Sequence, residues 1–271
     1  MKTLYITDLD GTLLGKNAEI SDFTLSTVNS FVDNGGCFTI ATARSIGSAR
    51  MVVPTLKTNA PAVLMNGVFL TDLSAGKALE VYYFPENTVR QALNAFLSEG
   101  HFPNVYYFKN GRIEVEVSGF NNAYERDFFT ARKKMFLDYN EVVNYRGGDR
   151  VVYMNAVGEH DRLCRIADRL SHIGGVSYVL YADNYSDYYF LEAFSDKANK
   201  KSGIERLRAL GYDCIVAFGD NYNDLGMFEA ADVAVAVGNA CDDVKSAADI
   251  VIGENYNDGV AKFLLQIAAN C

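Results

Sequence analysis

Short apolar runs, the mark of buried strands, alternate along this chain with stretches whose apolar residues recur at helical spacing. The first run begins at Leu4 and leads straight into the turn of LYITDLDGTL, Leu4 to Leu13. Ser21 to Asn34 then reads as a helix with Phe23, Val28, Phe31 and Val32 at its apolar positions, closed by Gly35 and Gly36. Cys37 to Ala41 reads as a second buried strand, Ser45 to Leu56 as a helix, and Ala62 to Met65 as a third strand. Strands alternating with helices predict a parallel sheet covered by helices on both faces.

The middle of the chain changes character. A helix over Glu86 to Ser98 leads to YYFKNGRIEVEV, Tyr106 to Val117, where Asn110-Gly111 between strand-like runs signals a hairpin. A polar helical stretch, Asn122 to Phe136, precedes a strand at Val151 to Ala156, a helix at Glu159 to Ile173, and strands at Val176 to Tyr181 and Tyr188 to Ala193. From Asn199 the first rhythm returns with a helix through Leu210. The apolar strand Cys214 to Phe218 runs into GDNYND, Gly219 to Asp224, and a helix starts soon after. VAVAVGNA (Val233 to Ala240), ADIVI (Ala248 to Ile252) and a C-terminal helix complete the layer. The predicted fold class is α/β, a Rossmann-like parallel-sheet core carrying an inserted α+β domain. Residues 1–78 and 194–271 make the core and 79–193 the insertion.

Composition narrows the function. With 49% hydrophobic residues in 271, the chain has ample material for a core and is not disordered. A net charge of −9 argues against a nucleic-acid or anionic-membrane surface, so an anionic substrate needs local positive charge or a metal. Cys37, Cys164, Cys214, Cys241 and Cys271 are scattered and form no C-x-x-C, which fits reduced thiols rather than a disulfide frame or zinc site. His101, His160 and His172 have no metal-binding spacing and are expected at the surface or on helices. Neither a signal peptide nor a membrane-spanning run is evident, so a soluble cytoplasmic protein is expected. Nothing in the sequence speaks to oligomeric state.

The chemistry gathers at the strand ends. Asp8 and Asp10 leave the first strand together because the chain turns at Gly11. Two carboxylates a few Å apart repel by roughly 4 kcal/mol at an effective dielectric of 20, so the pair calls for a cation, a shared proton, or both. A calcium loop does not fit, since Leu13 stands where that loop needs a turning glycine. Thr42 follows the second strand, and Asp220 and Asp224 follow the late one. Carboxyl ends of parallel strands line one crevice, so these residues share a site although far apart in sequence.

DLDGTLL, Thr42, Lys200 ahead of a helix, and GDNYND, in this order, resemble the four motifs of the haloacid dehalogenase superfamily. MNG (Met65 to Gly67), VGNA (Val237 to Ala240) and NDGV (Asn257 to Val260) are similar to the Cof-type phosphatases with a C2B cap. The chain departs from that branch at Ala43, where glycine is usual, and in its third motif, where Lys200 is followed by KSGI and flanked by Lys197 and Lys201. Lys200 is chosen because Ile204 and Leu207 then fall at the apolar positions expected after it.

The resemblance implies a phosphatase for small cytosolic phosphomonoesters such as sugar phosphates, pyridoxal phosphate or flavin mononucleotide. It implies Asp8 as nucleophile, Asp10 as general acid and base, and Mg²⁺ held by Asp8, Asp220 and the Asp10 carbonyl with Asp224 close behind. Thr42 and Lys200 then hold the phosphate oxygens, and Ala43, Arg44, Asn66 and Asn223 are further candidate substrate contacts. Asp10 favours phosphoryl transfer to water or a sugar, because family ATPases carry Thr there and the dehalogenases lack the Asp pair. The insertion is expected to close over the crevice and exclude water. Two alternatives stay open: a phosphomutase of the phosphomannomutase type, and a non-catalytic sugar-phosphate binding protein on the same fold.

Overall fold

A computed structural model describes residues 2–133, 139–148, 150–183 and 186–269. The chain divides into two compact units, one running to Glu80 and resuming at Asn199, the other spanning Val81–Ala198.

The first unit is built on five parallel strands in the order Ile250–Val251, Val233–Ala236, Cys214–Gly219, Thr3–Thr7, Cys37–Ile40. Leu4, Ile6, Phe38, Ile40, Ile215, Ala217 and Phe218 are fully buried, as continuous apolar runs covered on both faces must be. The chain enters at Thr3–Thr7, adds Cys37–Ile40 on one side, and only after the excursion adds Cys214–Gly219 on the other. The direction of winding therefore reverses between Thr3–Thr7 and Cys214–Gly219, whose carboxyl ends lie where open parallel sheets bind their ligands. Helix Asp22–Asp33 is capped by Ser21, whose Oγ accepts from the Thr24 amide at 3.0 Å. Helix Lys200–Ala209 starts in a capping box of Asn199 and Ser202.

Two expectations for this unit change. The helix read as Ser45 to Leu56 spans only Ile46–Val52, because Pro54 cannot continue it. The strand at Ala62–Leu64 does not extend the parallel sheet as a full member and meets it only through a bridge from Val63 to Ala41. Met65, Asn66 and Gly67 all take positive φ and reverse the chain. The strand therefore pairs antiparallel with Phe69–Asp72, and Lys77–Val81 completes a small three-stranded sheet.

The second unit is a six-stranded sheet in the order Val176–Ala182, Tyr189–Ser195, Val151–Gly158, Asn104–Lys109, Arg112–Val117, Tyr139–Glu141. Its hairpin turns at Asn110 (φ 52°) and Gly111 (φ 77°), the left-handed pair that an Asn-Gly turn supplies. Helices Glu86–Leu97 and His160–Ser171 bury Val89, Phe96, Leu163, Ile166 and Leu170 against Val105, Met154, Ala156 and Leu191. The polar helix is described as Ala123–Lys133, and its expected continuation to Phe136 lies outside the described residues, as does Cys271. The other four cysteines form no disulfide.

His101 departs from the expectation of a surface or helical position. It is buried, 2% exposed, just before the strand Asn104–Lys109, in space left by Gly158, where a Cβ would stand 2.7 Å from its Cε1. Burial, aided by the Arg162 charge, lowers its pKa to about 4 and keeps the ring neutral. Among the described residues, no helix is long and apolar enough to cross a membrane.

Candidate active site

The Asp8 amide still belongs to the ladder, donating to the Phe218 carbonyl at 2.9 Å, and the chain then breaks into the tight turn Leu9–Leu13. Gly11 makes that turn possible. Its φ is +84°, and a Cβ there would stand 2.2 Å from Asp220 Oδ2. Gly219 serves the late strand in the same way, since a Cβ on it would meet the Asp224 side chain at 2.6 Å. Both glycines let an acid-bearing loop come close.

Asp8, Asp220 and Asp224 present carboxylate oxygens within 4.8 Å of one another. Lys200 reaches them from the first turn of its helix, 2% exposed, donating from Nζ to Asp8 Oδ1 at 2.6 Å and to Asp224 Oδ1 at 2.5 Å. Its helix registers it there because Ile204 and Leu207 are fully buried on the same face. Lys201 points elsewhere and pairs with Glu229 at 2.8 Å, and Lys197 is exposed. Asp224 spends its other oxygen on the turn it belongs to, accepting from the Asp220 and Asn221 amides at 2.9 and 3.1 Å. Thr12 Oγ1 donates to Asp220 Oδ1 at 2.7 Å. Among the described hydrogen bonds, none goes to Asp8 Oδ2 or Asp220 Oδ2.

Three acids thus face one ammonium. Burial pushes the Asp8 pKa well above the usual carboxylate range, with Lys200 opposing and Asp224 and Asp220 adding to the rise. Burial likewise raises Asp220 to about 6, against the Thr12 hydrogen bond. Burial pulls Lys200 down, but the Asp224 and Asp8 charges outweigh it and hold the lysine above its ordinary value. A cluster of hard oxygen donors with excess negative charge and two oxygens not otherwise engaged fits a small divalent cation.

Asp10 stands apart from this cluster. Its half-exposed carboxylate is gripped by Arg44, Nε to Oδ2 at 2.7 Å and Nη2 to Oδ1 at 2.6 Å, while Arg44 Nη1 donates to Ser48 Oγ at 3.2 Å. Thr42 is buried at the end of the second strand, with its hydroxyl accepting from the Arg44 amide at 3.2 Å. Asn66 is buried beside it, its amide donating to the Thr42 carbonyl at 3.2 Å. Ala43 is half-buried and Asn223 exposed, and no described hydrogen bond ties either side chain to the acids. Sequence reasoning passed over Thr12, although it lies inside DGT, and over the bidentate Asp10–Arg44 pair.

The raised acids set a pH dependence. Asp220 binds its proton more tightly folded than unfolded, so its contribution to metal-free stability is fully present below the unfolded carboxylate pKa and is lost as pH rises from there through about 6. In chelator, Asp220→Asn is therefore expected to melt above the parent at about pH 8 and much like it at or below about pH 4. Thermal melts of the two proteins across that range check it. A parent that gains on the variant as pH rises would contradict the assignment.

The sequence model of the haloacid dehalogenase-like hydrolases matches residues 5–264. The pyridoxal phosphate phosphatase YbhA of Escherichia coli is 27% identical over 95% of both chains. The 5-amino-6-(5-phospho-D-ribitylamino)uracil phosphatase YitU of Bacillus subtilis is 29% identical over 95% of this chain and 94% of its own. In fold, a haloacid dehalogenase-like hydrolase from Bacteroides thetaiotaomicron superposes with a TM-score of 0.78 at 23% identity, covering 98% of this chain and 100% of that one. A HAD subclass IIB sugar phosphatase superposes at 0.73 and 22% identity over 99% of each.

Proposed function

We propose, from the premise that this chain belongs to the haloacid dehalogenase-like hydrolases and is a phosphatase of their Cof type, that it hydrolyses small phosphomonoesters with Mg²⁺ by way of a phosphoryl group carried on Asp8. The observation that carries the reading is the buried Asp8 carboxylate, held by Lys200 and crowded by Asp220 and Asp224 where the sheet's winding reverses. Such a carboxylate is fixed in place and short of compensating charge, which suits it to take up an electrophilic phosphorus beside a cation.

Asp8 attacks phosphorus, and the ester oxygen leaves with a proton donated by Asp10. Water then attacks the aspartyl phosphate, gives its proton to Asp10, and releases inorganic phosphate and the free Asp8 carboxylate. Asp10 trades protons only after leaving Arg44. Thr42 and Lys200 hold the other phosphate oxygens, and Lys200 also steadies Asp8. Asp8, Asp220 and the Asp10 carbonyl would hold Mg²⁺ with Asp224 close behind, and the bound ion would offset the charge of the carboxylates and the phosphate dianion.

The relatives support this substrate class. One is named for pyridoxal phosphate and another for a phosphorylated ribitylaminouracil, both small phosphomonoesters. A phosphate-release screen over these two compounds and a set of sugar phosphates, with Mg²⁺ or with EDTA, tests the proposal. Release from at least one of them with Mg²⁺ and none in EDTA is expected, with Ca²⁺ inhibiting because its larger, looser shell misplaces the reacting oxygens. Full turnover in EDTA contradicts the metal assignment. Phosphoryl movement between two positions of one sugar, without release, contradicts hydrolysis.

A further inference from the structure

The loop after strand Val233–Ala236 carries VGNA, a motif that none of the chemistry above uses. It lies along both acid-bearing turns. Two of its amides anchor it to the late turn, Val237 donating to the Gly219 carbonyl and Cys241 to the Asp220 carbonyl, each at 3.2 Å. Between these anchors Asn239 reaches to the first turn, and its Nδ2 donates to the Gly11 carbonyl at 2.8 Å, 228 residues away in sequence. Its Oδ1 accepts from the Asn255 amide at 2.9 Å, and Asn255 Nδ2 donates in turn to the Leu14 carbonyl at 2.7 Å. The turn Leu9–Leu13 is thereby held at its middle and just past its end by one pair of asparagines.

We propose that Asn239 is a positioning residue that fixes the spacing of Asp8 and Asp220 through the Gly11 peptide, and so sets the affinity of this protein for its divalent cation without touching cation or substrate. Gly11 is the residue of the turn with the freest backbone, and it has no side chain to pin it. Its carbonyl is held from outside by Asn239. One residue along the chain, Thr12 donates its hydroxyl to Asp220, so movement of the Gly11 peptide is passed directly to that acid. The VGNA loop also holds Asp220 by its carbonyl and therefore references both acids to one frame. A side-chain amide suits position 239, since it donates to a carbonyl and accepts from an amide at once. Mg²⁺ demands nearly ideal octahedral geometry, so a small drift between its ligands is costly.

Asn239 is exposed, and truncating an exposed side chain leaves a fold intact. The inference rests on the metal reading above, and the test separates the two. Mg²⁺ is titrated calorimetrically into the full chain without substrate, for the parent, Asn239→Ala and Leu264→Ala. Leu264 is fully buried and lies with Lys2, Thr3 and Tyr5 around one cavity, at the opposite end of the first strand from Asp8, so its truncation lowers the melting temperature while leaving metal affinity within about twofold of the parent. Asn239→Ala is expected to weaken Mg²⁺ binding about 10-fold, the usual range for loss of a group that orients a metal ligand. Its kcat should return toward the parent value at saturating Mg²⁺. Mg²⁺ affinity of Asn239→Ala within about twofold of the parent would overturn this proposal alone. A parent that binds no Mg²⁺ would overturn the metal reading with it.

Discussion

Asp8→Asn is expected to lower turnover by about 10⁶, the loss that removal of a covalent nucleophile produces. The amide keeps the shape of the carboxylate and offers its oxygen to the Lys200 ammonium, so the fold should survive. In chelator the variant should even melt above the parent, because burial disfavours the Asp8 charge that the substitution removes. The two readouts bind the prediction together. Steady phosphate release fixes the loss of activity, and thermal melting in EDTA shows that the loss is chemical rather than structural. A variant retaining a tenth of the parent's activity would remove Asp8 from the nucleophile's role. Inactivity accompanied by a lower melting temperature would point to damage at the Lys200 cluster instead.

How far sequence reached into this molecule depended on whether local pattern or distant contact decided each feature. The core strands were legible because a strand covered on both faces must be apolar throughout, as at Leu4 to Ile6 and Cys214 to Phe218. The hairpin at Asn110-Gly111 was legible because its turn needs two left-handed residues, and Asn-Gly supplies them. The turn at Met65 to Gly67 needs three, two of them not glycine, and no local rule marks Met65 for that conformation. For that reason the strands Phe69–Asp72 and Lys77–Val81 stayed hidden. His101 was missed because its burial comes from a glycine 57 residues later in the chain.

The candidate site shows the same division. Asp8, Thr42 and Asp220 stand at strand ends, where topology alone draws residues together. Lys200 could be told from its neighbours by helical spacing to Ile204 and Leu207, because a buried lysine must lie on the face that its apolar neighbours bury. The grip of Arg44 on Asp10 and the reach of Asn239 to Gly11 lay beyond reading. Both depend on how loops approach in space, and the Gly11 contact ends on a backbone carbonyl, which leaves no trace in residue type. The gathering of acids at the strand ends was therefore visible in the sequence, while the fixtures that hold their side chains were not.

Lys200→Ala is expected to cost stability and activity together, and this separates it from its neighbours in the chain. The Lys200 ammonium is buried between Asp8 and Asp224 at 2.6 and 2.5 Å. Removing one partner of a buried ion pair leaves charge uncompensated and typically costs about 3–5 kcal/mol. For a domain of this size each kcal/mol lowers the melting temperature by roughly 2–4 °C, so the loss should be plain in a melt. Activity should fall by about 10²–10³, as when one fixed donor to a developing charge is removed. Lys201 pairs with Glu229 at the surface, and an exposed pair contributes about 1 kcal/mol or less. Lys197→Ala and Lys201→Ala should therefore retain parental activity and melt close to the parent. Mg²⁺ discriminates further, because a cation placed among Asp8, Asp220 and Asp224 offsets part of the charge that Lys200 leaves behind. It should recover some of the lost stability of Lys200→Ala without restoring its activity, which in the proposed mechanism also needs the ammonium on phosphate. If Lys197→Ala or Lys201→Ala proved the more damaging, the third motif would have to be reassigned to that lysine.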